Sequence, residues 1–166
     1  MSRRAPSAFA LSVIAGISLA LLGCGGQAVS EEQNSAASAA EPDAEEPVVV
    51  QIGDAEFATT KAIYRRYEEA KGGELALREP LGPAGELDGG RMQEYASGTI
   101  YWSPGNGAHI VRGQILTTYL DNGGPTGSLG WPVTDEITEG ELTYSEFENG
   151  QIRLEGRAIQ VIEYPG

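Results

Sequence analysis

The sequence predicts an α+β domain made of two tandem units of about 52 residues, each a short helix, a Gly/Pro loop and a small antiparallel β-hairpin or sheet. Three observations carry this expectation. Laid on itself at an offset of 52, the chain aligns residues 61–100 with 113–152 without a gap. Within each stretch, helical spacing of apolar residues stops at glycines. Short alternating runs separated by turn residues then follow.

The overlay places Ile63 on Ile115, Tyr67 on Tyr119, Gly72 on Gly124 and Leu77 on Leu129. Farther on, Pro80 meets Pro132, Glu94 meets Glu146, Gly98 meets Gly150 and Ile100 meets Ile152, with Tyr95 against Phe147. Glycines, prolines and large apolar residues fix backbone and core, so matches concentrated on them mark one unit used twice. Unit one runs over about residues 60–111 and unit two over about 112–164.

Each element follows from local chemistry. Thr59 or Thr60 caps a helix carrying Ile63, Tyr67 and Ala70 on one face, and Gly72-Gly73 ends it. In the second unit Ile115, Leu116 and Tyr119 form the stripe, and Gly123-Gly124-Pro125 stops it. A loop with a Leu-x-x-Pro element comes next. Strands are expected at 92–96 and 99–103 around a turn at Ser97-Gly98, and at 108–111 beyond Pro104-Gly105-Asn106-Gly107. The second unit repeats this at 142–147, a turn at Asn149-Gly150, then 151–154 and 158–162.

Ahead of this domain lie two different segments. Residues 1–23 read as an export signal, with Arg3 and Arg4 before an uncharged apolar run at 8–22. That run is too short for a membrane span, which needs ~20 residues. Leu21-Leu22-Gly23-Cys24 resembles the lipobox of bacterial lipoproteins, which implies acylation of Cys24, the chain's only cysteine and so barred from an internal disulfide. Residues 24–47 carry six carboxylates and no basic or aromatic side chain, the composition of a disordered acidic tether. The expected product is exported and held to the membrane by lipid on Cys24, with residues 48–166 facing the wall.

Charge excludes one class of partner. The chain has 24 acidic against 11 basic residues, a net of −13. From residue 48 onward the balance is eighteen to nine, so the field of the domain repels nucleic acid.

Leu129-Gly130-Trp131-Pro132 followed by Val133-Thr134-Asp135-Glu136, and IYWSP at 100–104 followed by Gly107-Ala108-His109, resemble the LGFP repeat. The resemblance covers about residues 61–164. The first copy departs from it, reading Leu77-Arg78-Glu79-Pro80 with Arg78 in place of glycine. It implies a non-catalytic module that attaches exported proteins to the arabinogalactan-containing wall of mycolic-acid bacteria.

The chemical inventory agrees with a non-enzyme. There is one histidine, His109, and no Gly-x-Ser-x-Gly nucleophile elbow. One histidine falls short of the three or four ligands a zinc site needs, so no metal or other cofactor is expected. His109 is read first as a hairpin residue bonded to backbone. If the units bind wall polysaccharide, aromatic faces and hydrogen bonds supply the affinity. Tyr101, Trp102 and Trp131 are then the stacking candidates, with Asp135, Glu136 and His109 as polar neighbours. Tyr101 and Trp102 are adjacent on a strand and point to opposite faces, so one is expected in the core and the other is free to be exposed. For each of the three aromatics core packing is read ahead of ligand contact, because so small a domain needs its large apolar residues inside. The alternative is a protein-interaction module without glycan binding.

Overall fold

The computed structural model describes residues 44–166. The expected signal, the lipidation site Cys24 and the tether as far as residue 43 lie outside the described residues.

A hairpin comes first, β1 (Pro47–Ile52) with β2 (Ala55–Thr60), leading into helix α1 (Lys61–Ala70). A four-stranded antiparallel sheet follows in the order β3 (Gly85–Leu87), β4 (Gly90–Tyr95), β5 (Gly98–Ser103), β6 (Gly107–Val111). Helix α2 (Gly113–Asp121) and a 3₁₀ turn (Gly124–Thr126) lead to a second such sheet. Its strands are β7 (Ile137–Glu139), β8 (Leu142–Phe147), β9 (Gly150–Glu155) and β10 (Ala158–Glu163), again in sequence order. Helix α1 packs against β1 and β2 as well as β5 and β6, and α2 packs against β5 and β9. Each helix therefore lies between two β layers. The α+β class and antiparallel sheets are as the sequence predicts. The hairpin β1–β2 and the short strands β3 and β7 are additions to it.

The architecture recurs in its bonds. Ser97 N–H donates to the Leu77 carbonyl at 3.1 Å, and Asn149 N–H to Leu129 at 3.0 Å. Ala96 N–H reaches Glu79 and Glu148 N–H reaches Trp131, both at 3.0 Å. Leu81 N–H meets Glu94 and Val133 N–H meets Glu146, both at 2.9 Å. These pairs, like the isolated bridges Pro80–Tyr95 and Pro132–Phe147, stand 52 residues apart. Tyr67 stacks on Tyr95 with centroids 5.1 Å apart, and Tyr119 stacks on Phe147 at 4.4 Å. The Leu-x-x-Pro loop is thus laced to the hairpin turn of its own sheet.

This lacing corrects the reading of the turns. The loop residues are 96–97 and 148–149, because Tyr95 pairs with Gly98 and Phe147 with Gly150. Gly98 and Gly150 are strand residues, and neither has positive φ. They are glycine because backbone and a leucine crowd each: an added Cβ would meet the Val111 carbonyl oxygen at 2.9 Å at Gly98 and the Ile162 carbonyl oxygen at Gly150. It would also come within 2.9 Å of Leu77 Cδ2 at Gly98, and within 2.6 Å of Leu129 Cδ2 at Gly150. The helix cap is also corrected. Thr60 is the N-cap of α1 but its side chain makes no capping bond. Thr59 Oγ1 instead donates to buried Gln93 Oε1 at 2.7 Å, tying the hairpin to the sheet.

Order begins before residue 48. Ala44 is buried in the first core, its carbonyl accepts from Ala62 N–H, and that of Glu46 accepts from Lys61 N–H. These two carbonyls take orphan amides of the first turn of α1, the work a capping side chain would otherwise do.

The two sheets differ on one face. Leu87, Met92, Tyr101 and Val111 of the first sheet belong to the second core, beneath α2. Fifty-two residues on from the first three stand Glu139, Tyr144 and Arg153, none of them buried. The matching face of the second sheet is therefore polar.

Among the described residues Arg78 is the one non-glycine with positive φ, at 63°, and Gly130 occupies the matching place at 71°. A left-handed non-glycine residue costs roughly 1–2 kcal/mol. Arg78→Gly should therefore raise stability by about 1 kcal/mol in chemical denaturation, after the entropic cost of glycine. Gly130→Ala should lower it, because its Cβ would lie 2.5 Å from Glu148 Oε2.

Candidate functional site

Strand β5 reads GTIYWS, without a charge, and all six residues are buried. Alternation sends Ile100 and Trp102 into the core under α1 and Tyr101 into the core shared with α2. A strand covered on both faces reads as a continuous apolar run, and β5 does.

Against this strand the Leu-Gly-Trp-Pro motif places Trp131. Its ring lies over Gly89 and Gly90, where β4 begins, and an added Cβ on Gly90 would sit 2.7 Å from Trp131 Cη2. Edge-to-face contacts then run from Trp131 to Tyr101 at 6.5 Å and from Tyr101 to Tyr119 at 5.4 Å, and Tyr119 stacks on Phe147. The Tyr119 hydroxyl donates to the Gly130 carbonyl at 2.7 Å, holding the motif to α2. Burial pushes the Tyr101 phenol up to about 12, so it stays neutral at physiological pH. Tyr101 comes from the first sheet and the other three rings from the segment after it. The aromatic series is a seam.

A polar belt surrounds the seam. Asp135 accepts from Ile110 N–H at 2.7 Å and from Arg66 Nη2 at 2.5 Å, joining the loop before β7 to β6 and α1. Glu136 pairs with Arg112 Nε at 2.9 Å. Glu148 accepts from Trp131 N–H at 3.0 Å through one oxygen and from Asn106 Nδ2 at 2.9 Å through the other. His109 Nε2 donates to the Asn106 carbonyl at 2.7 Å, and its Nδ1 lies 3.9 Å from Asp135.

All six residues expected around a glycan therefore have assigned places. Trp131, Tyr101, His109 and Asp135 are brought together, while Trp102 points to the opposite core. The core reading of the three aromatics holds, and their reading as stacking faces for a sugar is corrected. Relative exposures of 1% for Tyr101, 4% for Trp102 and 7% for Trp131 leave no ring free to cover a sugar. Strand alternation puts one aromatic inside and one outside only where the strand has a wet face, and β5 has none. Asp135 and Glu136 are held in ion pairs rather than turned to solvent. Arg66, Glu148 and Gly90 were not singled out from the sequence. A signal for Gly90 existed in the overlay, where Glu79 opposes Trp131: the tryptophan needs a flat partner, and exposed Glu79 does not. Among the described residues no group of three or more His, Cys, Asp and Glu side chains gathers in metal-binding geometry.

A family model described as the LGFP repeat matches residues 79–127. The matched span starts in the first Leu-x-x-Pro loop, takes in the whole first sheet and ends after α2. The match thus unites the first sheet with the helix packed on its far face. No curated protein matches the chain.

Trp131→Ala should lower unfolding free energy by roughly 3–5 kcal/mol, the cost of emptying a packed aromatic site. Denaturant titration measures it, and a change below about 1 kcal/mol would show that the ring is not part of the core.

Proposed function

We propose that this chain is a non-catalytic exported lipoprotein whose LGFP repeats hold it to cell-wall polysaccharide. The observation that carries the reading is the match of residues 79–127 to the LGFP repeat, a resemblance that implies a cell-wall-associated role. The two helix-and-sheet modules are read as two copies of one unit, supported by hydrogen bonds, bridges and ring stacks that recur 52 residues apart. Lipid on Cys24 would keep the domain at the membrane surface, so each wall contact can be weak.

The absence of catalysis is part of the proposal. The sole histidine is tied to a backbone carbonyl beside Asp135, and Ser103, six residues earlier in the chain, is buried. A working triad needs a nucleophile within hydrogen-bond reach of its base and open to substrate. The aromatic series supports fold rather than contact, so binding falls to the surfaces between modules.

The test is retention of the purified protein on insoluble arabinogalactan–peptidoglycan. The protein should sediment with the wall, and raising the salt concentration should change the bound fraction little, because a neutral glycan offers no counterions to release. Absence of sedimentation, or release by moderate salt, would contradict the reading and favour a protein partner.

A further inference from the structure

Two clefts occupy equivalent places in the two modules. The larger, about 410 Å³, lies between the start of α2 and the second sheet, lined by Ser97, Arg112, Gln114, Glu136, Thr138 and Thr143. The smaller, about 210 Å³, opens beside the first sheet at Glu45, Glu86, Arg91 and Trp102. Ser97, Thr138, Thr143 and Leu154 of the larger cleft stand 52 residues after those four residues. The depressions recur with the unit, although the side chains filling those positions differ.

Their chemistry has a common part. Each cleft contains one arginine already neutralised by a glutamate, Arg112 with Glu136 at 2.9 Å and Arg91 with Glu86 at 2.8 Å. Arg112 also donates to the Glu74 carbonyl, so it is fixed in place before any ligand arrives. The larger cleft carries no net charge, the smaller keeps one negative charge on Glu45, and the acidic protein as a whole repels polyanions. The larger cleft presents hydroxyls of Ser97, Thr138 and Thr143 and the amide of Gln114 above an apolar floor of Ile115 and Leu154. Donors and acceptors in near balance over a small apolar patch suit an uncharged ring rich in hydroxyl groups, and its size falls in the range of small-ligand sites, ~300–1,000 Å³.

We infer that these paired clefts, rather than the aromatic residues, are the subsites for wall polysaccharide, the larger being the principal one. The inference rests on the wall-binding reading. A polymer of repeating neutral sugars meets a repeating protein, and two weak subsites on one chain bind together more tightly than either alone.

The test uses the full chain and the same insoluble arabinogalactan–peptidoglycan. Gln114 and Thr138 are exposed, so Gln114→Ala with Thr138→Ala removes cleft groups without touching either core. Thr138→Trp serves as a second variant that blocks the cleft by bulk, and thermal melting checks that both remain folded. The inference expects the bound fraction of each folded variant to drop about tenfold through loss of one of two linked subsites. Wild-type retention with both folded variants retained equally would overturn the cleft assignment and leave wall binding standing. Wild-type protein that fails to sediment would overturn both.

Discussion

Burial of one strand on both faces is the constraint on which the structure depends. With Ile100 and Trp102 turned to one core and Tyr101 to the other, β5 belongs to two hydrophobic clusters at once. Its neighbours must supply a cover for each side. Helix α1 covers one, and α2 with the Leu-Gly-Trp-Pro loop covers the other. Large aromatic side chains make this efficient, because each buries ~150–250 Å² and offers directional edge contacts besides. The backbone has to yield where neighbours come close: a Cβ at Gly90 would meet the Trp102 carbonyl and the Trp131 ring, and one at Gly98 would meet Arg112 Cβ, Leu77 and the Val111 carbonyl.

The differences between the two modules follow from their places in the stack. Trp131 has β4 of the preceding sheet to lie on, whereas Glu79, in the matching loop position, is preceded among the described residues by the two-stranded hairpin β1–β2. An exposed carboxylate is the reasonable occupant there. Position 130 must be glycine because Glu148 presses on it, while position 78 faces Ala96 in the overlay and holds an arginine. Gln93, buried and bonded to Thr59 and Tyr95, has Ser145 as its counterpart, and Thr59 has Val111. In each case a polar pair facing the hairpin is replaced by smaller or apolar residues facing the sheet. On the two-copy reading proposed above, these mismatches in the overlay go with a difference in neighbours.

Much of this was legible in the chain. The periodic glycines, prolines and leucines gave the helices, the paired strands and their order, because those residue types report local backbone needs. The Asn149-Gly150 pair misled, since its glycine answers crowding by the Ile162 carbonyl and Leu129 rather than a turn. The site was less legible. An aromatic on a strand says that a large face must be covered but not by what, and only the stacking of layers decides between a sugar and another ring. Comparing the matched strands did hold a hint: Tyr101 opposes Arg153, so the two sheets cannot share the same surroundings. The cleft residues Gln114, Thr138 and Thr143 carried no signal, being ordinary polar side chains until the fold brings them round one depression.

The central claim is that the shared strand and the Trp131 seam make the two modules one cooperative body. Native-state hydrogen exchange tests it most directly, because it reads opening free energies strand by strand. The account predicts that the most protected amides of β4–β5 and of β8–β9 exchange with one common free energy, equal to that of global unfolding. Lower, separate protection of β8–β9 and α2, with β4–β5 still closed, would show two independent modules and contradict it.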